Sequence, residues 1–309
     1  PRCMANPAKP GADFDNSCDV GMGDLPTLFN DWALYTFDFT VTAPSADALE
    51  AHYEFEDNLL DSVGGNNANP VGTVSYAAGT VGTYALSLDG TNHAVATGYK
   101  GILGTQDRTT SAWIKTTGST TATTMMIVNW GTQTDQGGRW AMRINLPDQA
   151  GTGGGFRADF DGGNVVGTTD LRDGSWHHVA AVLESNGAPR SKNIAIYVDG
   201  RREALTNATG LGIDINTVSD NDVTIGAAYF SADHQFTGQI DDLRIYGRAL
   251  WSDEVAGLAG LTPGTVLTET VRTQMSSIED TDLVPDGAIN FIDYATLLNM
   301  WLEEVLWPQ

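Results

Sequence analysis

From residue 35 to residue 246 the chain reads as short runs in which apolar and polar positions alternate. Tyr35–Val41 is the first of them. His52–Glu56, Tyr84–Leu88, Thr110–Lys115, Met125–Trp130, Arg139–Asn145, His177–Leu183, Ile194–Val198, Asp222–Gly226 and Gln239–Tyr246 follow. Period-two runs separated by Gly, Asn and Asp predict β-strands joined by tight turns. Leu88-Asp89-Gly90 and Val198-Asp199-Gly200 have the composition of hairpin turns. Trp251–Leu258 is the one helical stretch in this region, and a Pro/Ser/Ala segment over 43–48 marks a boundary. The period changes at both ends. Leu25, Leu28, Phe29 and Trp32, and again Tyr294, Leu297, Leu298, Trp301, Val305 and Leu306, recur at helical spacing. The pattern predicts an all-β fold, an antiparallel two-sheet jelly roll, with a short loop-helix segment at each terminus.

The two ends also repeat each other. With Asp13 aligned on Asp282, Asp24 meets Asp293, Thr27 meets Thr296, Leu28 meets Leu297, Asn30 meets Asn299 and Trp32 meets Trp301. The spacing suits calcium. A 12-residue loop presents oxygen ligands at positions 1, 3, 5, 7, 9 and 12 around a tight turn at 6. In the first copy these are Asp13, Asp15, Ser17, the carbonyl of Asp19, Gly21 and Asp24, with Cys18 at the turn. In the second they are Asp282, Val284, Asp286, the carbonyl of Ala288, Asn290 and Asp293, with Gly287 at the turn. Val284 cannot ligate and Gly21 has no side-chain oxygen, so water would complete each set. Asp24 and Asp293 open the following helices, where a carboxylate is favoured by the helix dipole.

This loop-plus-helix unit resembles the dockerin repeat, an EF-hand-like element of bacterial extracellular proteins. Dockerin repeats normally adjoin, whereas here some 250 residues lie between them. A loop and one helix bury too little apolar surface to fold alone. Each half therefore needs a partner, with Leu28, Trp32, Leu297 and Trp301 as the packing set. That partner is the opposite end of a neighbouring copy, giving head-to-tail assembly, or the other end of the same chain, which tethering favours wherever the linkers span the distance.

Within the β region, TTSAWIKT around Trp113, GSWHHVAAVLES (174–185), IAIYVDGRREA (194–204) and FTGQIDDLRIYGRAL (236–250) occur in order. Together with AHYEFEDNLLDSVGGNN (51–67) and ALSLDGTNHAVAT (85–97) they resemble the laminin-G-like, concanavalin A-like lectin/glucanase superfamily over about 47–260. The resemblance implies that the first and last strands lie close together and that a structural calcium often sits near them. Carried over by position, Asp241 is its leading ligand, with Asp57 and Asp89 behind. The chain is thus divided into 1–34, a half repeat; 35–46, a strand and linker; 47–260, the jelly roll; 261–277, a linker; and 278–309, the second half repeat.

Catalytic chemistry finds little support. Glycosidases of this fold carry paired carboxylates on one strand as E-x-D-x-x-E or E-x-D-x-E, which alternation turns to one face. No such string occurs. Glu54 and Glu56 come nearest, sharing a face of the predicted first strand of the β domain, and read as structural or calcium-proximal. His177 and His178 adjoin and point to opposite faces, while His52, His93 and His234 are scattered. Gly151–Gly155 is Gly-rich without a following Lys-Ser/Thr and reads as a hairpin tip, not a phosphate loop. Asn207-Ala208-Thr209 is a glycan acceptor pattern. Trp130, Trp140, Tyr229 and Phe230 are the aromatics that could stack on a sugar, against core packing as the plainer role.

Charge narrows the partners. Asp plus Glu is 39 against 16 for Lys plus Arg, a formal −23. Nucleic acid and anionic membranes call for the opposite sign, and no run of 18 apolar residues spans a bilayer. Divalent cations, Ca²⁺ foremost, suit the excess of carboxylate. The chain opens at Pro1, without an initiator Met, and reads as a processed, exported bacterial protein at the cell exterior. Cys3 and Cys18 would there form a disulfide. The expected function is a non-catalytic, calcium-stabilised structural protein that joins copies of itself through paired half repeats, as a filament or surface layer. The alternative is a carbohydrate-binding or adhesion module, with a glycan partner and the half repeats paired within one chain.

Overall fold

The computed structural model describes residues 34–118, 125–185 and 187–272. Both half repeats lie outside these residues, and with them Asp13, Asp15, Ser17, Asp19, Asp24, Asp282, Asp286, Ala288, Asn290 and Asp293. So do Cys3, Cys18, Leu28, Trp32, Leu297 and Trp301. The chain divides into two units, Pro1–Phe37 with Thr270–Gln309, and Asp38–Glu269.

In chain order the strands are β1 (Leu34–Thr40), β2 (Leu49–Tyr53), β3 (Asn69–Val71), β4 (Ser75–Ala78), β5 (Tyr84–Asp89), β6 (His93–Ala96) and β7 (Arg108–Lys115). Then come β8 (Met125–Gly131), β9 (Arg139–Ile144), β10 (Gly155–Asp159), β11 (Asn164–Asp170), β12 (Trp176–Leu183), β13 (Ile194–Val198) and β14 (Arg201–Arg202). The last are β15 (Asn207–Thr209), β16 (Asn221–Ile225), β17 (Ala227–Ala228), β18 (Ser231–Gln235), β19 (Thr237–Tyr246) and β20 (Val266–Arg272). Among the described residues one α-helix, α1 (Ser252–Leu258), stands where the sequence places it.

Sixteen of the strands form two antiparallel sheets, as the alternation predicts, and β1-β20 and β17-β18 are two-stranded ladders beside them. One runs β15-β11-β10-β9-β8-β16-β6-β3; the other runs β14-β13-β12-β7-β19-β5-β4, with β2 also bonded to β19. The faces turned toward each other share one core that includes Tyr53, Phe55, Leu86, Ile114, Trp130, Trp140, Met142, Phe156 and Ile240. Trp130 and Trp140 are fully buried there. The Trp130 Nε1–H donates to the Ile102 carbonyl at 3.0 Å and the Trp140 Nε1–H to Thr110 Oγ1 at 3.1 Å. Both indoles are therefore core residues with satisfied polar ends, not platforms for a sugar.

Val198-Asp199-Gly200 is the hairpin turn its composition predicts, with φ 50° at Asp199 and 75° at Gly200. Leu88-Asp89-Gly90 is not: β5 and β6 belong to different sheets, so this turn carries the chain across the sandwich. The strand expected over 52–56 ends at Tyr53, because Phe55 has φ 57° and leaves the pleat. Glu54 and Glu56 consequently do not share a strand face. Residues 266–272, inside the stretch read as a linker, form β20 and pair with β1. The Val41 amide donates to the Thr265 carbonyl at 2.8 Å, and Thr268 Oγ1 donates to Asp38 Oδ1 at 2.6 Å. Numbers thus fall on one strand as they rise on the other, so the two strands run antiparallel.

The outer faces of the two sheets differ. Helix α1 lies on the β12–β13–β19 side, where Val255 and Leu258 pack with Ala180, Val182, Tyr197 and Tyr246. On the other sheet, Trp140, Met142 and Ile144 point inward, so alternation sends Arg139, Ala141 and Arg143 outward.

Candidate functional site

The first candidate lies where β19 changes partner. Its residues Thr237–Ile240 pair with β5 and Leu243–Tyr246 with β2. Asp241 and Asp242 fall between, at a register shift against β7, with Asp242 at φ 47°. Across the gap, Phe55 and Asp57 also hold left-handed backbone, at φ 57° and 55°. Such conformations cost a non-glycine residue of order 1–3 kcal/mol each and persist where the surroundings impose them. The consequence is local. Phe55 enters the core, and Glu56 reaches the β4–β5 hairpin, accepting from the Thr83 amide at 2.8 Å and the Tyr84 amide at 3.3 Å.

Asp241 grips the same hairpin from the other side. Its Oδ2 accepts from the Thr80 amide at 2.8 Å and the Val81 amide at 3.0 Å. Its Oδ1 is buried without a hydrogen-bond partner among the described residues. Burial pushes the Asp241 carboxyl above its usual range, against the pull of those two amides. Glycines let the hairpin approach. A Cβ on Gly79 would lie 2.8 Å from Asp241 Oδ2, and one on Gly82 would lie 2.0 Å from Glu56 Oε1.

An orphaned, buried carboxylate oxygen is costly unless it is protonated or bound to a cation. Among the described residues no three His, Cys, Asp or Glu side chains converge as a metal site. A cation here would therefore draw further ligands from backbone carbonyls and water, which suits calcium rather than zinc. Asp57 is exposed one residue beyond Glu56. Asp89 is not brought to Asp241: it caps its own turn, accepting from the Thr91 amide at 2.9 Å and Thr91 Oγ1 at 2.7 Å.

Beside this junction a Ser-His-Asp series appears that spacing did not reveal. His52 Nε2 lies 2.6 Å from Asp242 Oδ1, and Ser62 Oγ lies 3.3 Å from His52 Nδ1. Arg244 Nη2 also donates to Asp242, at 3.0 Å. The amides that could cradle an oxyanion near Ser62 are already used, since Asp61 accepts from His52, Val63, Gly64 and Asn66. The series is a clamp between β2 and β19 rather than nucleophile machinery. His177 and His178 diverge as alternation requires. His177 sits between Asp199 at 2.9 Å and Asp173 at 3.3 Å, while His178 is buried edge-on to Trp113, where desolvation pushes it down to about 4.

The second candidate, on the outer face of β9 and β10, was not singled out from the sequence. Arg143 lies directly opposite Arg157 across the ladder, and Asp159 opposite Ala141. Asp159 Oδ2 accepts from Arg143 Nη2 at 2.7 Å and Arg157 Nη2 at 2.9 Å, and its Oδ1 takes Arg139 Nη2. Asp161 stands 3.6 Å from Arg139. Phe230 places its ring 4.8 Å from the Arg139 guanidinium and meets Tyr229 edge-on at 5.1 Å. Burial alone would raise Asp159; the charges of Arg143, Arg139 and Arg157 outweigh it and hold the carboxyl well below its usual range. Burial pushes Arg143 down to about 10, so it remains charged at neutral pH. The signal was present in Arg139-Trp140-Ala141-Met142-Arg143 and Phe156-Arg157-Ala158-Asp159, where charge alternates with core residues. That the two runs adjoin was not legible.

The model of the Concanavalin A-like lectin/glucanases superfamily (Laminin_G_3) matches residues 89–256. Among solved structures the chain is similar to domain 4 of AbnA, a GH43 extracellular arabinanase from Geobacillus stearothermophilus, solved in complex with arabinotriose. The identity is 24% and the TM-score 0.52, over 68% of this chain and 98% of that one. It is less similar to the binding domain of Paraclostridial Mosquitocidal Protein 1, at 16% identity and TM-score 0.47, over 69% of this chain and 52% of that one. The Ruminococcus gnavus IT-sialidase CBM40 follows at 16% identity and TM-score 0.39, over 51% of this chain and 84% of that one. No curated protein matches the chain. The family match spans more than half of the chain, its strand order closes the two-sheet sandwich described above, and the chain belongs to the concanavalin A-like lectin/glucanases superfamily.

Proposed function

We propose that the protein is a non-catalytic carbohydrate-binding module of the cell exterior, stabilised by Ca²⁺ at the β2–β5–β19 junction. The observation that carries the binding role is the outer face of β9 and β10. There the half-exposed Tyr229 and Phe230 and the part-buried Arg157 lie against the buried Arg139, Arg143 and Asp159, a mixture of hydrogen-bonding and aromatic groups of the kind that holds sugars. The arabinotriose bound to the similar arabinanase domain supports the same reading. At the junction, Asp241 and Glu56 would hold the ion. The test is direct titration of the whole protein with neutral and acidic oligosaccharides in millimolar calcium. Saturable binding of at least one saccharide class is expected; none bound at millimolar concentration would remove this function.

The half repeats are proposed to bind calcium and to pair within one chain, which is the alternative the sequence left open. Head-to-tail assembly was the main expectation. What supports pairing within the chain instead is the β1–β20 ladder, which bonds the strand that follows the first half repeat to the strand that precedes the second. A short tether makes the intramolecular partner win. Sedimentation in calcium and in chelator should give the mass of one chain in both. A polymer that chelator dissolves would restore the assembly reading.

A further inference from the structure

The Arg139 cluster breaks a rule of sheet construction. Like charges directly opposite on neighbouring strands are destabilising, and Arg143 faces Arg157 in that position. Three guanidiniums meet there in a chain that carries only 16 basic residues against 39 acidic ones. Against them stand one buried carboxylate, Asp159, and one nearer the surface, Asp161.

The hydrogen-bond inventory is also unequal. Buried Arg108 spends each nitrogen on an acceptor: the Gln106, Ile102, Leu103 and Gly104 carbonyls and Thr217 Oγ1. Arg157 is likewise served by Asp159, Asn145 and Gln149. Arg139 is not. Its Nη2 engages Asp159, while its Nε and Nη1 are buried with no hydrogen-bond partner among the described residues. The adjacent Tyr229 hydroxyl faces Arg139, which can only donate to it, so its own O–H has no acceptor among the described residues. Buried donors of a permanently charged group are costly to leave unmade, and each such exception calls for an explanation, a bound ion among them. An acceptor-only, negatively charged group answers the donors left over by Arg139 and the Tyr229 hydroxyl, and a planar or tetrahedral oxyanion suits a guanidinium fork.

We propose that this face takes an acidic saccharide, with a carboxylate or sulfate oxygen received by Arg139 and the Tyr229 hydroxyl and the sugar ring lying along Tyr229 and Phe230. The proposal rests on the carbohydrate-binding reading and names the class of sugar. Arg139 acts as the anion receptor; Arg143, Arg157 and Asp159 hold it in place.

The test uses the whole protein in calcium and four probes: a galacturonate trisaccharide, a sulfated galactose trisaccharide, neutral arabinotriose and inorganic sulfate. Calorimetry should show one of the two acidic sugars binding about 10-fold or more tightly than arabinotriose, the scale of one charge-assisted hydrogen-bond pair. Which acidic sugar wins identifies the anion. Arg139→Gln should lose about 10-fold or more of that affinity, and so narrow or abolish the preference for acidic over neutral sugar. Tyr229→Phe removes one hydroxyl whose O–H has no acceptor among the described residues, so it should fold like the parent by near-ultraviolet dichroism and lose a few-fold. Equal affinity for acidic and neutral sugars, wild-type affinity in Tyr229→Phe, or inorganic sulfate binding as well as either acidic sugar would overturn the proposal. Those results leave the carbohydrate reading standing, whereas a protein that binds no saccharide at all fails both.

Discussion

Replacing Asp159 by Ala should cost the domain about 3–5 kcal/mol, the penalty for removing one member of a buried ionic group and leaving its partners uncompensated. Three guanidiniums converge on that carboxylate, and Asp159 is almost wholly buried. The apolar interior on the other side of the sheet cannot screen them. For a domain of this size the loss corresponds to roughly 6–20 °C in Tm. Asp170→Ala is the control. Asp170 pairs with Arg172 at 2.7 Å but is half-exposed, so its loss should stay within about 1 kcal/mol. The pH dependence carries a sign. Asp159 titrates lower in the folded protein than in the unfolded chain, so its contribution is complete above the unfolded value of about 3.9 and drains away as pH falls toward the folded one. The stability gap between parent and variant should therefore be constant from pH 5 to 7 and narrow below about pH 4. Urea midpoints across that range measure it. A variant as stable as the parent at pH 7 would mean that the three arginines do not depend on Asp159.

Asp241→Asn should behave in the opposite way. Without calcium the parent protein holds a buried carboxylate with one orphaned oxygen, and burial raises its pKa. A group raised in the folded state lowers stability as pH climbs from the unfolded value through the folded one. Asn removes that ionisation, so the variant in chelator should match or exceed the parent at pH 7. Calcium reverses the order. At about one hundred times its dissociation constant it should stabilise the parent by about 2.7 kcal/mol, roughly 5–10 °C, and the variant hardly at all. Calcium affinity should also weaken as pH falls and Asp241 takes up its proton. Thermal melts of both proteins, each with calcium and with chelator, decide the matter. An Asp241→Asn protein that calcium stabilises as much as the parent would move the ion elsewhere.

These two carboxylates show how unevenly the sequence exposes function. Asp241 was named because QIDDLRIY resembles the last strand of the family's sandwich, where that resemblance implies an oxygen ligand. Its companion was harder to place. Glu56 looked like one of two carboxylates on a single strand face, and the left-handed turn at Phe55 separates it from Glu54. Backbone strain of that kind is imposed by packing and leaves no periodic trace. Asp159 and Arg139 are 20 residues apart, and His52 and Asp242 are 190 apart. Local pattern says which face a side chain takes but not which strand lies beside it.

Alternation therefore determined the β architecture, ten of the twenty strands, the Val198–Gly200 hairpin and the burial of the sheet interiors, because a period of two is a property of each strand alone. The repeat at the termini is likewise written in the sequence, and the calcium chemistry it proposes rests there. Tertiary structure alone decided that the Leu88–Gly90 turn crosses between sheets, that β20 meets β1, and that β19 changes partner at Asp241 and orphans one oxygen. It alone set Arg143 against Arg157. Each of these depends on which distant segments become neighbours, and that is chosen by the packing of the whole core rather than by any local run of residues.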